Sequence, residues 1–233
     1  MTDRKCYVLI PGAGGVPWHW HRVAAELRRH GHDVIAADLP NDDPSAGLAE
    51  YADAVVRAVG DRPGVVLVAH SLGGFTAPLV CGRIPVERMV LVAAMVPAPG
   101  EPPGDWWENT GHSALMAERE RLDGGPPDEN VLFYHDVPPE LAAEAASRER
   151  IQSGGPFGQP WPLPRWPEVP TSFLLCRDDR LFPATWLRGL VRERLGIEPE
   201  EMDGGHLPLL ARPRELAERV MRLSGGERAQ SGD

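Results

Sequence analysis

The chain has 233 residues, 42% of them hydrophobic and 25% charged, with a formal net charge of −10. A chain of this length buries roughly 70% of the surface it exposes when unfolded, which suits one large domain or a domain with an insertion. The acidic balance excludes nonspecific nucleic-acid binding and attraction to an anionic membrane surface, and no run approaches the ~18 apolar residues of a membrane span.

The N-terminal stretch "MTDRKCYVLIPG" has too short an apolar core for a secretory signal. Cys6, Cys81 and Cys176 are odd in number, far apart and each inside or beside an apolar run, so they read as buried free thiols. The expectation is a reduced, cytoplasmic protein. "CYVLI" reads as a buried strand. Residues Pro17–His30 read as a helix with Trp20, Val23, Ala24 and Leu27 on one face and Gly31 at its C-terminal cap. "DVIAADLP" is a second strand, and Leu48–Val59 a helix with Leu48, Ala52, Val55 and Val59 on one stripe. "GVVLVA" is a strand, Leu72–Arg83 a helix and "ERMVLVAA" a strand. Strands that are apolar throughout and alternate with amphipathic helices define an α/β fold: a parallel sheet covered on both faces.

The alternation stops at Pro97. From there to Pro170 the chain is dense in Pro, Gly and Trp, with two helical segments at Ser113–Leu122 and Pro139–Gln152. The rhythm then resumes: "TSFLLC" is a strand, Pro183–Leu195 a helix, "IEPEEM" a short strand and Pro213–Leu223 a closing helix. Residues 1–96 and 171–223 therefore read as a core, 97–170 as a small, mainly helical insertion, and 224–233 as a frayed polar tail.

Chemistry gathers at three places. Ala69-His70-Ser71-Leu72-Gly73 follows a buried strand and opens a helix. A serine on such a tight turn needs small neighbours, and the small-x-Ser-x-Gly pattern supplies them. A capping serine on an ordinary strand-to-helix turn is the plainer alternative. A nucleophilic serine needs a base and a group to orient the base. His19, His21, His30 and His32 lie on or beside the first helix and are expected in solvent. His112 and His135 fall in the insertion. His206 sits in "DGGHLP", a Gly-rich loop that can carry an imidazole over the sheet edge. "CRDDRLFP" ends a late strand, and Asp179 has the Asp-x-x-x-Pro spacing to Pro183, leaving Asp178 as a neighbour. The loop "IPGAGGVPW" after the first strand offers backbone N–H groups, with Ala13 best placed to join Leu72 around an oxyanion. It lacks both G-x-G-x-x-G and the Lys-Ser/Thr of a P-loop, which disfavours a nucleotide.

"VLIPGAGGVPWHW", "AHSLGG", "LFYHD", "LLCRDDRLFP" and "DGGHLP", in this order, resemble the α/β-hydrolases. The nearer likeness is to the small capped group of methyl esterases and hydroxynitrile lyases. The resemblance implies a mostly parallel sheet with 97–170 as a lid, and a catalytic triad of Ser71, Asp179 and His206. It implies acyl transfer with no metal and no cofactor; Trp106, Trp107, Phe133, Tyr134, Phe157, Trp161 and Trp166 in the lid region, with Lys and Arg sparse in its Trp-rich segments, point to a small, neutral ester with apolar or aromatic groups. Gly12, His70, Trp106, Trp107, Tyr134 and Trp161 are the expected pocket residues, and the protein a monomer or homodimer. Pro11 departs from the family's usual His, and Pro78 falls inside the post-elbow helix. Gly12 and Leu207 stand where the lyases carry Thr and Lys, which favours hydrolysis. A lactone or amide hydrolase, and a ligand receptor that keeps the triad, remain open.

Overall fold

The computed structural model describes residues 4–126 and 128–225. Six strands form one sheet: β1 Cys6–Ile10, β2 Asp33–Ala36, β3 Val65–His70, β4 Arg88–Val92, β5 Thr171–Cys176 and β6 Glu200–Met202. Their order is β2-β1-β3-β4-β5-β6, and every neighbouring pair is parallel. The central strands have no polar face because helices cover both sides. Val8 and Ile10 of β1 join one apolar cluster with Leu67, Ala69, Phe75 and Val55. Tyr7 and Leu9 join the other with Val66, Val68, Leu27 and Val220. The alternation of side chains along a strand thus divides the core into two halves.

The helices are α1 His21–Arg29, α2 Leu48–Val59, α3 Gly73–Cys81, α4 Trp106–Asn109, α5 His112–Asp123, α6 Glu129–Phe133, α7 Pro139–Arg148, α8 Ala184–Leu195, α9 Pro208–Ala211 and α10 Pro213–Ser224. The expected first helix is divided: Pro17–Trp20 form a 3₁₀ turn before α1 begins. Pro78 lies within α3, which continues past it to Cys81. The last helix runs to Ser224, whose hydroxyl meets that of Tyr7 at 2.6 Å. The remainder of the expected tail, 226–233, lies outside the described residues. All three cysteines are free, with Cys6 and Cys176 buried and Cys81 partly so. Among the described residues no helix is long and apolar enough to cross a membrane.

Between β4 and β5 the chain makes one long excursion that carries α4 to α7. Buried groups tie it down. Trp106 is fully buried and donates its indole N–H to Val96 O at 3.0 Å, and Trp161 donates to Phe75 O at 3.2 Å. Glu101, in the excursion, pairs with Arg194 of α8 through both guanidinium nitrogens, with side chains only 4% and 12% exposed. Burial pushes the Glu101 carboxyl up, but hydrogen bonds from Arg194, the Ala98 N–H and Asn109 outweigh it and hold the carboxyl below its usual range.

Candidate active site

In a parallel sheet the loops that leave the strand ends meet at one edge. Here the loop after β1, the turn after β3 and the loops after β5 and β6 converge there. The turn after β3 holds Ser71 at φ +50°, a left-handed conformation costly for any residue with a Cβ. The surroundings enforce it: Met95 N–H donates to Ser71 O at 2.9 Å, and Gly74 N–H to the same oxygen at 3.0 Å. The glycines after the serine have a packing reason. A Cβ on Gly74 would stand 1.9 Å from Met95 O, so α3 reaches the end of β4 only because that side chain is missing.

Ser71 Oγ lies 3.1 Å from His206 Nε2. His206 Nδ1 lies 2.8 Å from Asp179 Oδ2. The other oxygen, Asp179 Oδ1, accepts the backbone N–H groups of Leu181 at 2.9 Å and Phe182 at 2.8 Å. Asp179 and His206 are buried, at 4% and 1% exposure. A carboxylate at Nδ1 orients the imidazole with its proton on that nitrogen, leaving Nε2 to accept from the serine.

A second set of contacts holds this group. His70 Nε2 donates to His206 O at 2.7 Å. Burial, followed by the neighbouring His206, keeps the His70 imidazole well below its ordinary pKa, so it stays neutral. Asp178 Oδ2 accepts Gly204 N–H at 3.0 Å, and Asp136 Oδ2 accepts Gly205 N–H at 2.7 Å, so two carboxylates brace the loop that carries His206. His112 Nε2 donates to Leu181 O at 2.7 Å, which links the excursion to the Asp179 loop. Burial pushes the His112 imidazole down as well.

The loop after β1 approaches the serine closely. A Cβ on Gly12 would stand 2.8 Å from Ser71 Cβ and 3.3 Å from Oγ. Among the described residues, neither Ala13 N–H nor Leu72 N–H donates a hydrogen bond. The loop is braced from the excursion and from the segment after β2. Arg150 N–H donates to Gly14 O at 3.0 Å, Gly14 N–H to Gln152 Oε1 at 3.1 Å, and Asn41 Nδ2 to Gly15 O at 2.7 Å.

A cavity of about 340 Å³ opens above Ser71. Gly12, Ala13, His70, Leu72, Trp107 and Tyr134 line it as expected from the sequence. Trp106 and Trp161 do not line it, because each is spent on anchoring the excursion. Phe133, Phe157, Leu181 and Met95 supply further apolar wall. His19 is a correction. It is not in solvent but 4% exposed and in the cavity wall, where its Nδ1 meets the Val16 backbone and its place four residues before Val23 sets it on the buried flank of the helix. Glu129, Asn130 and Glu149 also line the cavity and carried no sequence signal beyond their place in the excursion.

An α/β sheet with a serine elbow, a histidine and a buried aspartate meeting at its carboxyl edge defines a class of protein. The chain belongs to it: a profile of the alpha/beta hydrolase family matches residues 7–219. The chain is 29% identical to a probable esterase, PIR7A, of Oryza sativa subsp. indica, over 94% of this chain and 97% of the relative. It is 25% identical to Methylesterase 7 of Arabidopsis thaliana, over 96% of this chain and 97% of that one. In fold it is similar to polyneuridine aldehyde esterase, with a TM-score of 0.78 at 21% identity over 95% and 100% of the two chains. A pyrethroid hydrolase from Sphingobium faniae JZ-2 superposes with a TM-score of 0.74 at 22% identity, over 95% of this chain and 98% of that one.

Proposed function

We propose that this protein is a serine hydrolase that cleaves a small, neutral ester with apolar or aromatic groups through an acyl-enzyme. The observation that carries the reading is the continuous hydrogen-bonded line from Ser71 Oγ through His206 to Asp179, with the serine held in a strained elbow. Ser71 attacks the ester carbonyl and its proton passes to His206 Nε2. Asp179 stabilises the imidazolium and fixes its orientation. The N–H groups of Ala13 and Leu72 receive the oxyanion. His206 protonates the leaving alcohol, and water then repeats the sequence on the acyl group. Esterase and methylesterase relatives support ester hydrolysis. The excursion acts as the lid, and Trp107, Phe133 and Phe157 in the cavity wall support an apolar or aromatic substrate group.

A panel of p-nitrophenyl and methyl esters tests this. The expected result is a rise in kcat/KM from acetyl to longer or aromatic acyl groups. Phe133→Ala should erase most of the rise. A flat profile, or a preference for anionic esters, contradicts the substrate reading.

A further inference from the structure

The cavity has a polar end that the triad does not use. His19 and Glu149 both line it. His19 is nine-tenths buried or more, and its Nε2 has no hydrogen-bond partner. That nitrogen lies 3.9 Å from Glu149 Oε1, too far for a hydrogen bond between them. Tyr134 donates its hydroxyl to the same Glu149 oxygen. The Glu149 side chain is 43% exposed, and among the described residues no guanidinium pairs with it: Arg148 pairs with Glu144 and Arg150 with Asp38. No Lys or Arg is among the described residues that line the cavity.

Interiors seldom leave a buried polar atom unpaired. A carboxylate without a cation in a cavity wall favours a hydrogen-bond donor. We propose that this end of the cavity is a subsite for a hydroxyl group carried by the substrate outside its ester, with the O–H donating to Glu149 and the oxygen engaging His19 Nε2. One oxygen can reach both atoms at ordinary hydrogen-bond length across a 3.9 Å gap. The chemistry of the pair selects a hydroxyl. Its one hydrogen goes to Glu149 and its oxygen accepts from His19 Nε2–H, the tautomer in which Nδ1 accepts the Val16 N–H at 3.2 Å. An ether or nitrile cannot donate to Glu149, an ammonium cannot accept from His19, and a carboxylate is repelled. Burial pushes the His19 imidazole below its ordinary pKa against the opposing pull of Glu149, so it meets the hydroxyl neutral.

This inference rests on the hydrolase reading, and the two can fail separately. The probes are methyl 3-phenylpropanoate and its 2-, 3- and 4-hydroxyphenyl analogues, with wild-type protein, His19→Phe and Glu149→Leu. For wild type, at least one hydroxylated isomer should exceed the parent ester in kcat/KM by about tenfold, the worth of a hydrogen bond to a charged group. That ratio should fall close to one in both variants. Each variant's parent ester is its own reference, so a general loss cancels. The same esters titrated calorimetrically into Ser71→Ala protein should give the same preference as a ratio of Kd values, with no turnover needed. A wild-type ratio near one by both methods, or a ratio kept in both variants, overturns the subsite. Absence of a fluorophosphonate adduct on Ser71 overturns the hydrolase reading whatever the ratio.

Discussion

At the scale of single residues, two adjacent carboxylates have different work. Asp179 accepts from His206 and from two backbone N–H groups, while Asp178 accepts only Gly204 N–H through its side chain. An amide at position 179 can offer an N–H to His206 and so favour the wrong tautomer, whereas an amide at 178 still accepts from Gly204. Asp179→Asn should therefore lower kcat by about 10⁴, and Asp178→Asn by less than about tenfold. Steady-state kinetics on one ester ranks the two, and the reverse order would reassign the acid. Ser71 and Asp179 were legible in the sequence because each follows an apolar run with its own spacing signal, and His206 because a Gly-rich loop carries it just before the closing helices. His19 was not. Its spacing of four residues to Val23 and eight to Leu27 puts it on the flank of the buried helix face, but a polar imidazole there reads as a side chain in solvent. The spacing could not show that the cavity wall passes over that flank.

At the scale of elements, the strands and long helices were readable because apolar runs and 3.6-residue stripes are long enough to count. α4, α6 and α9 have four or five residues each and show no period. The role of the excursion's tryptophans was equally hidden. An indole that anchors and an indole that lines a pocket look alike in sequence, and only the partner of the N–H separates Trp106 and Trp161 from Trp107. The buried Glu101–Arg194 pair is the charged anchor of the same element. Removing one partner leaves the other charged and desolvated, so Arg194→Ala should cost about 3–5 kcal/mol of stability. Urea unfolding measures it. A loss below about 1 kcal/mol would mean that the pair is as solvated as a surface salt bridge.

At the scale of the whole molecule, three buried histidines make the fold sensitive to acid. Burial lowers the pKa values of His19, His70 and His112. Each takes up a proton near pH ~6.5 when unfolded but resists it when folded. The unfolded state therefore binds more protons below that pH. The stabilisation is fully present above about pH 6.5 and declines as pH falls toward the folded values. Glu101, whose carboxyl is held low, adds a further loss as pH falls below about 4.3. Thermal unfolding should show Tm level between pH 8 and 7 and falling steadily from about pH 6.5 to pH 5. A Tm that holds level to pH 5 would contradict neutral burial of the imidazoles. The same three histidines touch the site: His70 holds the His206 backbone, His112 holds the Asp179 loop and His19 walls the cavity. The acid response and the organisation of the site are thus one property. Ser71 as the nucleophile is central to all of this, and peptide mapping by mass spectrometry after fluorophosphonate treatment tests it most directly. A single adduct is expected on the peptide containing Ser71, lost together with ester turnover in a folded Ser71→Ala variant; an adduct on another serine, or turnover that survives the substitution, would contradict the assignment.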